Sequence, residues 1–150
     1  AIIIGDNRFT CQESCEISFR SCLREQGKGQ QILEPVRSHE RADVARSVTE
    51  KLLSQYPALQ AIYAPCGGVE GIVGALRDSG RQQAVTLVCH GPLSGSELAL
   101  IDGTIDVILN HRLDDLAAAT LRAMTEAVSR PPSDVISHTQ PFDIITKENM

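Results

Sequence analysis

Five cysteines and four histidines are the side chains with the widest chemical reach in this sequence. Cys11, Cys15 and Cys22 recur at i, i+4 and i+11, which at roughly 100° per residue puts them on one helical face with Phe19. Unpaired Cys is among the most buried residue types, so this stripe predicts a helix face turned into a core. The sharper chemistry starts from Cys11 in the first helical turn, where the dipole can activate a thiol. With Cys66, Cys89 and His90 near strand ends, a thiol-dependent enzyme using Cys11, Cys66 or Cys89 is the alternative of another class. No pair has the C-x-x-C spacing of a zinc site and no local Cys–His hydrolase motif is present, so the expectation is no catalytic residue, no metal and no cofactor.

The second chemical candidate is the stretch "IYAPCGGVEGIVGAL", residues 62–76, in which an apolar run passes through Cys-Gly-Gly into another. A dinucleotide fingerprint needs G-x-G-x-x-G; residues 66–71 lack its first glycine, and the Gly-Lys-Ser/Thr of a P-loop is missing too. Glu70 in the first turn of the following helix suits the helix dipole and would repel a phosphate. Gly67 and Gly68 therefore read as a tight turn whose lack of side chains leaves room for a ligand. His39, His111 and His138 stand singly among polar residues and read as solvated or capping side chains, and Asp114-Asp115 as charge at the start of a helix.

The elements that must position these groups alternate between short apolar runs and helical stretches, the pattern of β-α units around a parallel sheet. Strands are expected at residues 1–4, 31–36, 59–64, 84–89, 105–109 and 142–146. A Thr10–Glu13 capping box starts a helix to about residue 26, stopped by Gly27-Lys28-Gly29, and Ser38 caps a helix over 39–55. Further helices span 69–79, a short stretch to 101 opened by a Ser94–Glu97 box, and 113–129, broken by Pro131-Pro132. The fold class is α/β: a three-layer αβα arrangement around a mostly parallel, doubly wound, Rossmann-like sheet of 5–6 strands. Ligands in such sheets bind outside the carboxyl ends of the strands, here residues 5–8, 65–68, 89–92 and 110–112.

The bulk properties limit the function classes. One domain fits 150 residues. A formal net charge of −5 gives no footprint for DNA or an anionic membrane. No apolar run approaches the roughly 18 residues of a membrane span, and the first residues do not show a signal-peptide pattern. The absence of Trp leaves an aliphatic core, and five cysteines favour reduced thiols in a cytoplasm over a disulfide framework. Beginning at Ala1 inside a strand-like run, the chain reads as a piece of something longer.

The order of these units resembles the effector-binding region of the lactose-repressor family of bacterial transcription regulators. Three phrases carry the likeness: "ALQAIYAPCGGVEGIVGALRDSG" as strand, ligand loop and helix, "VTLVCHGPLSGSELALIDGTIDVILNHRLDDLAAATLRAM" as the next units, and "PFDIITKEN" as the closing strand. The resemblance implies the C-terminal subdomain of a type I periplasmic-binding-protein-like core. It also implies a sugar or sugar-alcohol effector, a homodimer, and contact with DNA only through an N-terminal helix-turn-helix outside this chain. Residues 105–130 would then pack on a first subdomain that is also outside it. Carried over by position, the ligand contacts fall on Asp6, Asn7, Arg8, Phe9, Cys15, Pro65, Cys66, His90, Gly91 and Asn110. Relatives place Arg at Cys15, Asn-Asp at Pro65-Cys66 and an acid at Gly91, so forked charged contacts to a sugar are lost at these positions. A periplasmic sugar receptor of a transporter is the runner-up, opposed by the cysteines.

Overall fold

The computed structural model describes residues 1–26, 29–93, 95–129 and 135–150. In chain order they form β1 (Ile3–Ile4), α1 (Thr10–Glu25), β2 (Val36–Arg37), α2 (Ala42–Gln55), β3 (Ala61–Ala64) and α3 (Val69–Asp78). Then come β4 (Thr86–Gly91), α4 (Glu97–Ile101), β5 (Val107–His111), α5 (Leu113–Ser129) and β6 (Phe142–Ile145). β1 pairs with β2 in parallel, β3, β4 and β5 pair in parallel, and β6 joins β5 antiparallel. A parallel bridge between Ile2 and Tyr63 links the two ladders, so the strands stand in the order β2-β1-β3-β4-β5-β6. This is the doubly wound order, with its switch point between β1 and β3.

Alternation along the strands decides which face is core. Ile62 and Ala64 of β3, Leu87 and Cys89 of β4 and Ile108 of β5 are buried together with Leu52 of α2, Ile72 and Leu76 of α3 and Leu100 of α4. Each fully buried aliphatic side chain contributes about 1.5–3 kcal/mol. Gly71 lets α2 and α3 touch backbone to backbone, since a Cβ there would lie 2.8 Å from the Ala42 carbonyl carbon and 2.9 Å from the Arg46 nitrogen. The opposite face carries α1, whose Phe19 ring lies 5.0 Å from that of Tyr63. No residue of α1 or α5 belongs to the core cluster.

Several boundaries differ from those the sequence suggests. The Thr10–Glu13 box does not form: extended Phe9 is the N-cap, and its carbonyl accepts the Gln12 and Glu13 amides. Helix α2 starts at Ala42 rather than 39, because His39 (φ 52°) and Glu40 (φ 59°) turn in the left-handed region. Ser38 caps no helix; its Oγ accepts the Glu40 amide and donates to the Gly67 carbonyl. β2 shrinks to Val36–Arg37, the Leu33 carbonyl upstream being taken by the Arg20 guanidinium. The cysteine stripe is not buried: Cys11 and Cys22 are exposed and Cys15 is half-buried. Of the shared face, Cys15 and Phe19 line an open cavity beside the sheet, while Cys11 and Cys22 lie in solvent. Gly27-Lys28, Ser94 and Pro131-Pro132, invoked for helix limits, lie outside the described residues.

Candidate functional site

Three strand ends and two loops meet at the switch point. Beyond β1, Gly5 leads into a turn closed by the Phe9 amide donating to the Asp6 carbonyl at 3.1 Å. Asp6 Oδ1 accepts the Arg8 amide at 3.3 Å, and its Oδ2 lies 3.5 Å from the Arg8 guanidinium and 3.4 Å from His39 Nδ1. Desolvation pushes this carboxyl upward, but the Arg8 amide, the His39 hydrogen bond and the Arg8 and His39 charges together outweigh it and hold it below its ordinary value. Asn7 Oδ1 accepts from Arg37 Nε at 3.2 Å, while the Arg8 side chain is 83% exposed. Phe9 is exposed as well. The turn thus offers an acceptor, an amide, a largely exposed guanidinium paired with Asp6, and an aromatic ring to solvent.

The Cys-Gly-Gly loop is not bare. Glu40 reaches over it: Oε2 accepts the Gly67 amide at 2.6 Å and Oε1 accepts Gln12 Nε2 at 2.9 Å. Gln12 Oε1 in turn accepts the Gly5 amide at 2.6 Å. A Cβ at Gly5 or Gly67 would collide with the Glu40 carboxylate. One carboxylate therefore fills the space left by both glycines and ties the ends of β1, β2 and β3 together. Gly68 completes the loop at φ +81°, with a Cβ there 2.8 Å from the Arg41 backbone. The anion-like position above Gly67 is occupied by the protein's own acid, consistent with the failed phosphate motif.

The remaining expected residues split into two groups. Pro65 and Cys66 are buried, and the Cys66 thiol donates to the Ile3 carbonyl at 3.2 Å, so neither presents a side chain to the surface that holds Asp6 and Arg8. Burial pushes the Cys66 thiol up to about 11, with the Glu40 charge adding to it and a Ser38 hydrogen bond opposing. Burial pushes Cys89 up to about 12. Neither is an activated nucleophile at neutral pH. Gly91 is buried where a Cβ would meet Ile108 Cγ2 at 2.7 Å and Asn110 Oδ1 at 3.0 Å. Its side-chain-free backbone lets half-buried Asn110 sit beside it.

His90 and Cys15 belong to the other face. Tyr63 Oη and His90 Nε2 share a 2.8 Å hydrogen bond, and the His111 ring lies 5.7 Å from that of His90. Desolvation, then the His111 charge, lowers the His90 pKa, so the ring is neutral at pH 7. Desolvation, then a contact with Cys15, raises Tyr63. Cys15, Phe19, Tyr63, Val88 and Leu109 line an open cavity of about 550 Å³ between α1 and the sheet. Among the described residues no group of three or more His, Cys, Asp or Glu is placed to hold a metal ion. Sequence reasoning missed Glu40, Gln12 and Tyr63; only the glycines at 5 and 67 hinted that something close-fitting lay above them.

Residues 1–130 match the model of the periplasmic binding protein domain family. The chain belongs to this family. No curated protein sequence matches it. Among solved structures it is similar to GanP, a glucose-galactose binding protein from Geobacillus stearothermophilus, with 21% identity and a TM-score of 0.88 over 99% of this chain and 53% of that one. The arabinose binding protein AraP from the same organism gives 14% identity and a TM-score of 0.82, covering 99% and 54%. A periplasmic solute binding protein of an ABC transporter from Actinobacillus succinogenes 130z, with bound D-allose, gives 14% and 0.82, covering 99% and 52%. At these identities the likeness is one of fold, and the periplasmic binding protein domain described here spans about half the length of each.

Proposed function

We propose that this domain senses a small neutral metabolite, a sugar or sugar alcohol, at the carboxyl ends of β1, β4 and β5, and that no bond is made or broken there. The observation that carries this is the exposed turn of Asp6, Asn7, Arg8 and Phe9 at the switch point, which offers acceptors, donors and a stacking ring. The similar solved structures are named as binders of glucose, galactose, arabinose and allose, which supports the ligand class. Asp6, Asn7, Arg8 and Phe9 are the side chains we assign to direct contact, with His90 and Asn110 at the neighbouring strand ends. Cys66 and Pro65 act from below as packing, and Cys15 from the α1 side.

In this proposal the domain is the effector half of a cytoplasmic regulator of the lactose-repressor family. Ligand binding shifts the balance between two orientations of its subdomains and so the DNA affinity of a head outside this chain. The five free thiols support a reducing compartment. A transporter receptor is the second reading, favoured by the similar structures, which include a solute binding protein of an ABC transporter. The coding sequence just upstream of Ala1 separates them: a helix-turn-helix supports the regulator, and a signal peptide overturns it. Titration calorimetry with D-glucose, D-galactose, D-arabinose and their alditols tests the ligand class; heat from none of them refutes it.

A further inference from the structure

The direction of one hydrogen bond decides what His90 offers at the strand ends. Tyr63 of β3 stands opposite Val88 of β4, which puts His90 two residues further along the same face. Ile62, Ala64, Leu87 and Cys89 turn to the core, so Tyr63 and His90 share the opposite side of the sheet. There Tyr63 Oη and His90 Nε2 lie 2.8 Å apart. The Tyr63 ring is itself fixed: that of Phe19 on α1 lies 5.0 Å away, and the Tyr63 amide donates to the Ala1 carbonyl at 3.0 Å.

Two arrangements satisfy that distance. Either the phenol O–H donates to a bare Nε2, or an Nε2–H donates to the phenol oxygen. A phenol O–H is a stronger donor than a neutral imidazole N–H, and a bare imidazole nitrogen is a stronger acceptor than a phenol oxygen, so the first arrangement wins. Burial, then the Cys15 contact, raises the Tyr63 pKa and keeps the phenol proton in place. The Cys15 thiol is a weak acceptor and does not compete for that proton. Neutral His90 carries a single N–H, and with Nε2 bare that N–H is on Nδ1. No hydrogen bond among the described residues engages Nδ1, which keeps access to solvent, and the His111 ring stands edge-on at 5.7 Å.

We propose that Tyr63 is a positioning residue for the strand-end site: by donating to Nε2 it holds His90 as the Nδ1–H tautomer, so that His90 meets a ligand as a hydrogen-bond donor. The ring oxygen or carbonyl of a sugar has only lone pairs to offer, and an N–H can meet it where a bare nitrogen cannot. The donor is set before the ligand arrives, which spares the site the cost of selecting a tautomer on binding. The donor role rests on the ligand reading above; the tautomer does not.

Nitrogen-15 NMR of the His90 ring, recorded above its pKa, reads the tautomer directly, because a protonated and a bare ring nitrogen resonate far apart. In the unmodified chain the expected pattern is a protonated Nδ1 and a bare Nε2. Tyr63→Phe keeps the ring beside Phe19 and removes only the hydroxyl, and His90 then moves toward the Nε2–H form that free histidine prefers in water. A protonated Nε2 in the unmodified chain, or a tautomer that Tyr63→Phe leaves unchanged, overturns the proposal. Titration calorimetry with D-glucose, D-galactose, D-arabinose and D-allose reads the donor role: Tyr63→Phe should weaken binding about 3–10-fold, the worth of one neutral hydrogen bond. His90→Asn places an amide N–H near the Nδ1 position with no need of the phenol, so adding Tyr63→Phe to it should change affinity by less than about twofold. Equal affinities of Tyr63→Phe and the unmodified chain, or the same loss in both backgrounds, overturn the donor role. If the unmodified chain binds none of the four sugars, the ligand reading falls and the donor role with it, while the tautomer is judged by the NMR alone.

Discussion

Replacing Glu40 isolates the clasp over the switch point. Its carboxylate accepts the Gly67 amide and the Gln12 side-chain amide, and Gln12 passes the constraint to the Gly5 amide. Hydrogen bonds to a charged group contribute about 1.5–3 kcal/mol when withdrawn from water. Glu40 is exposed, so water replaces part of each, and we expect Glu40→Ala to lose about 2 kcal/mol in total. Residue 40 also sits at φ 59°, a conformation that strains any non-glycine residue by about 1 kcal/mol or more. Alanine keeps that strain and glycine releases it, so Glu40→Gly should be about 1 kcal/mol more stable than Glu40→Ala despite removing more atoms. Urea denaturation gives both differences, and hydrogen exchange at the Gly5 and Gly67 amides shows whether protection is lost there first. An alanine variant within about 0.5 kcal/mol of the parent, the range of an ordinary surface substitution, would refute the clasp. A glycine variant less stable than alanine would refute the backbone assignment.

Gly71→Ala forces a methyl group into the Ala42–Arg46 backbone, which cannot step aside, and should cost about 3 kcal/mol, the upper end for overpacking, seen as a fall in melting temperature of about 6–12 °C. Under native conditions a thiol reagent at neutral pH should modify exposed Cys11 and Cys22 quickly and leave Cys66 and Cys89 untouched until unfolding; uniform reaction of all five would contradict the burial. His90 should titrate below the ordinary 6.5 by NMR. Because the unfolded chain takes up that proton first, stability conferred by neutral His90 is complete above 6.5 and declines as pH falls toward the lower folded value, and His90→Gln should flatten this part of the stability–pH curve.

Long elements with a strong period were legible from the residues alone: α3 with Val69, Ile72, Val73 and Leu76, and α5 from Leu113 to Ser129. Both depend on local pattern, and so does the apolar run that marks β4. What was not legible depends on contacts distant in sequence. Nothing around residue 40 announces a left-handed turn, because Glu is a poor candidate for it, and its partner amide is 27 residues away. The same distance hid the filling of the Gly-Gly loop, which looked like room for a ligand. The cysteines of α1 show a second limit: periodicity tells which residues share a face, and only the sheet tells what that face meets. The place of the Asp6 to Phe9 turn, just beyond β1, was legible because the strand-end rule needs no tertiary detail beyond the order of β and α units.

The central claim, reversible binding of a neutral polyhydroxylated ligand at the strand ends, is tested most directly by nitrogen-15 NMR of the chain titrated with D-glucose, D-galactose, D-arabinose and D-allose. The expected result is saturable shift changes at Asp6, Asn7, Arg8 and Phe9, extending to His90 and Asn110, with the sugar recovered unchanged. Shifts confined to other surfaces, a sugar converted to product, or no response to any of the four would contradict it.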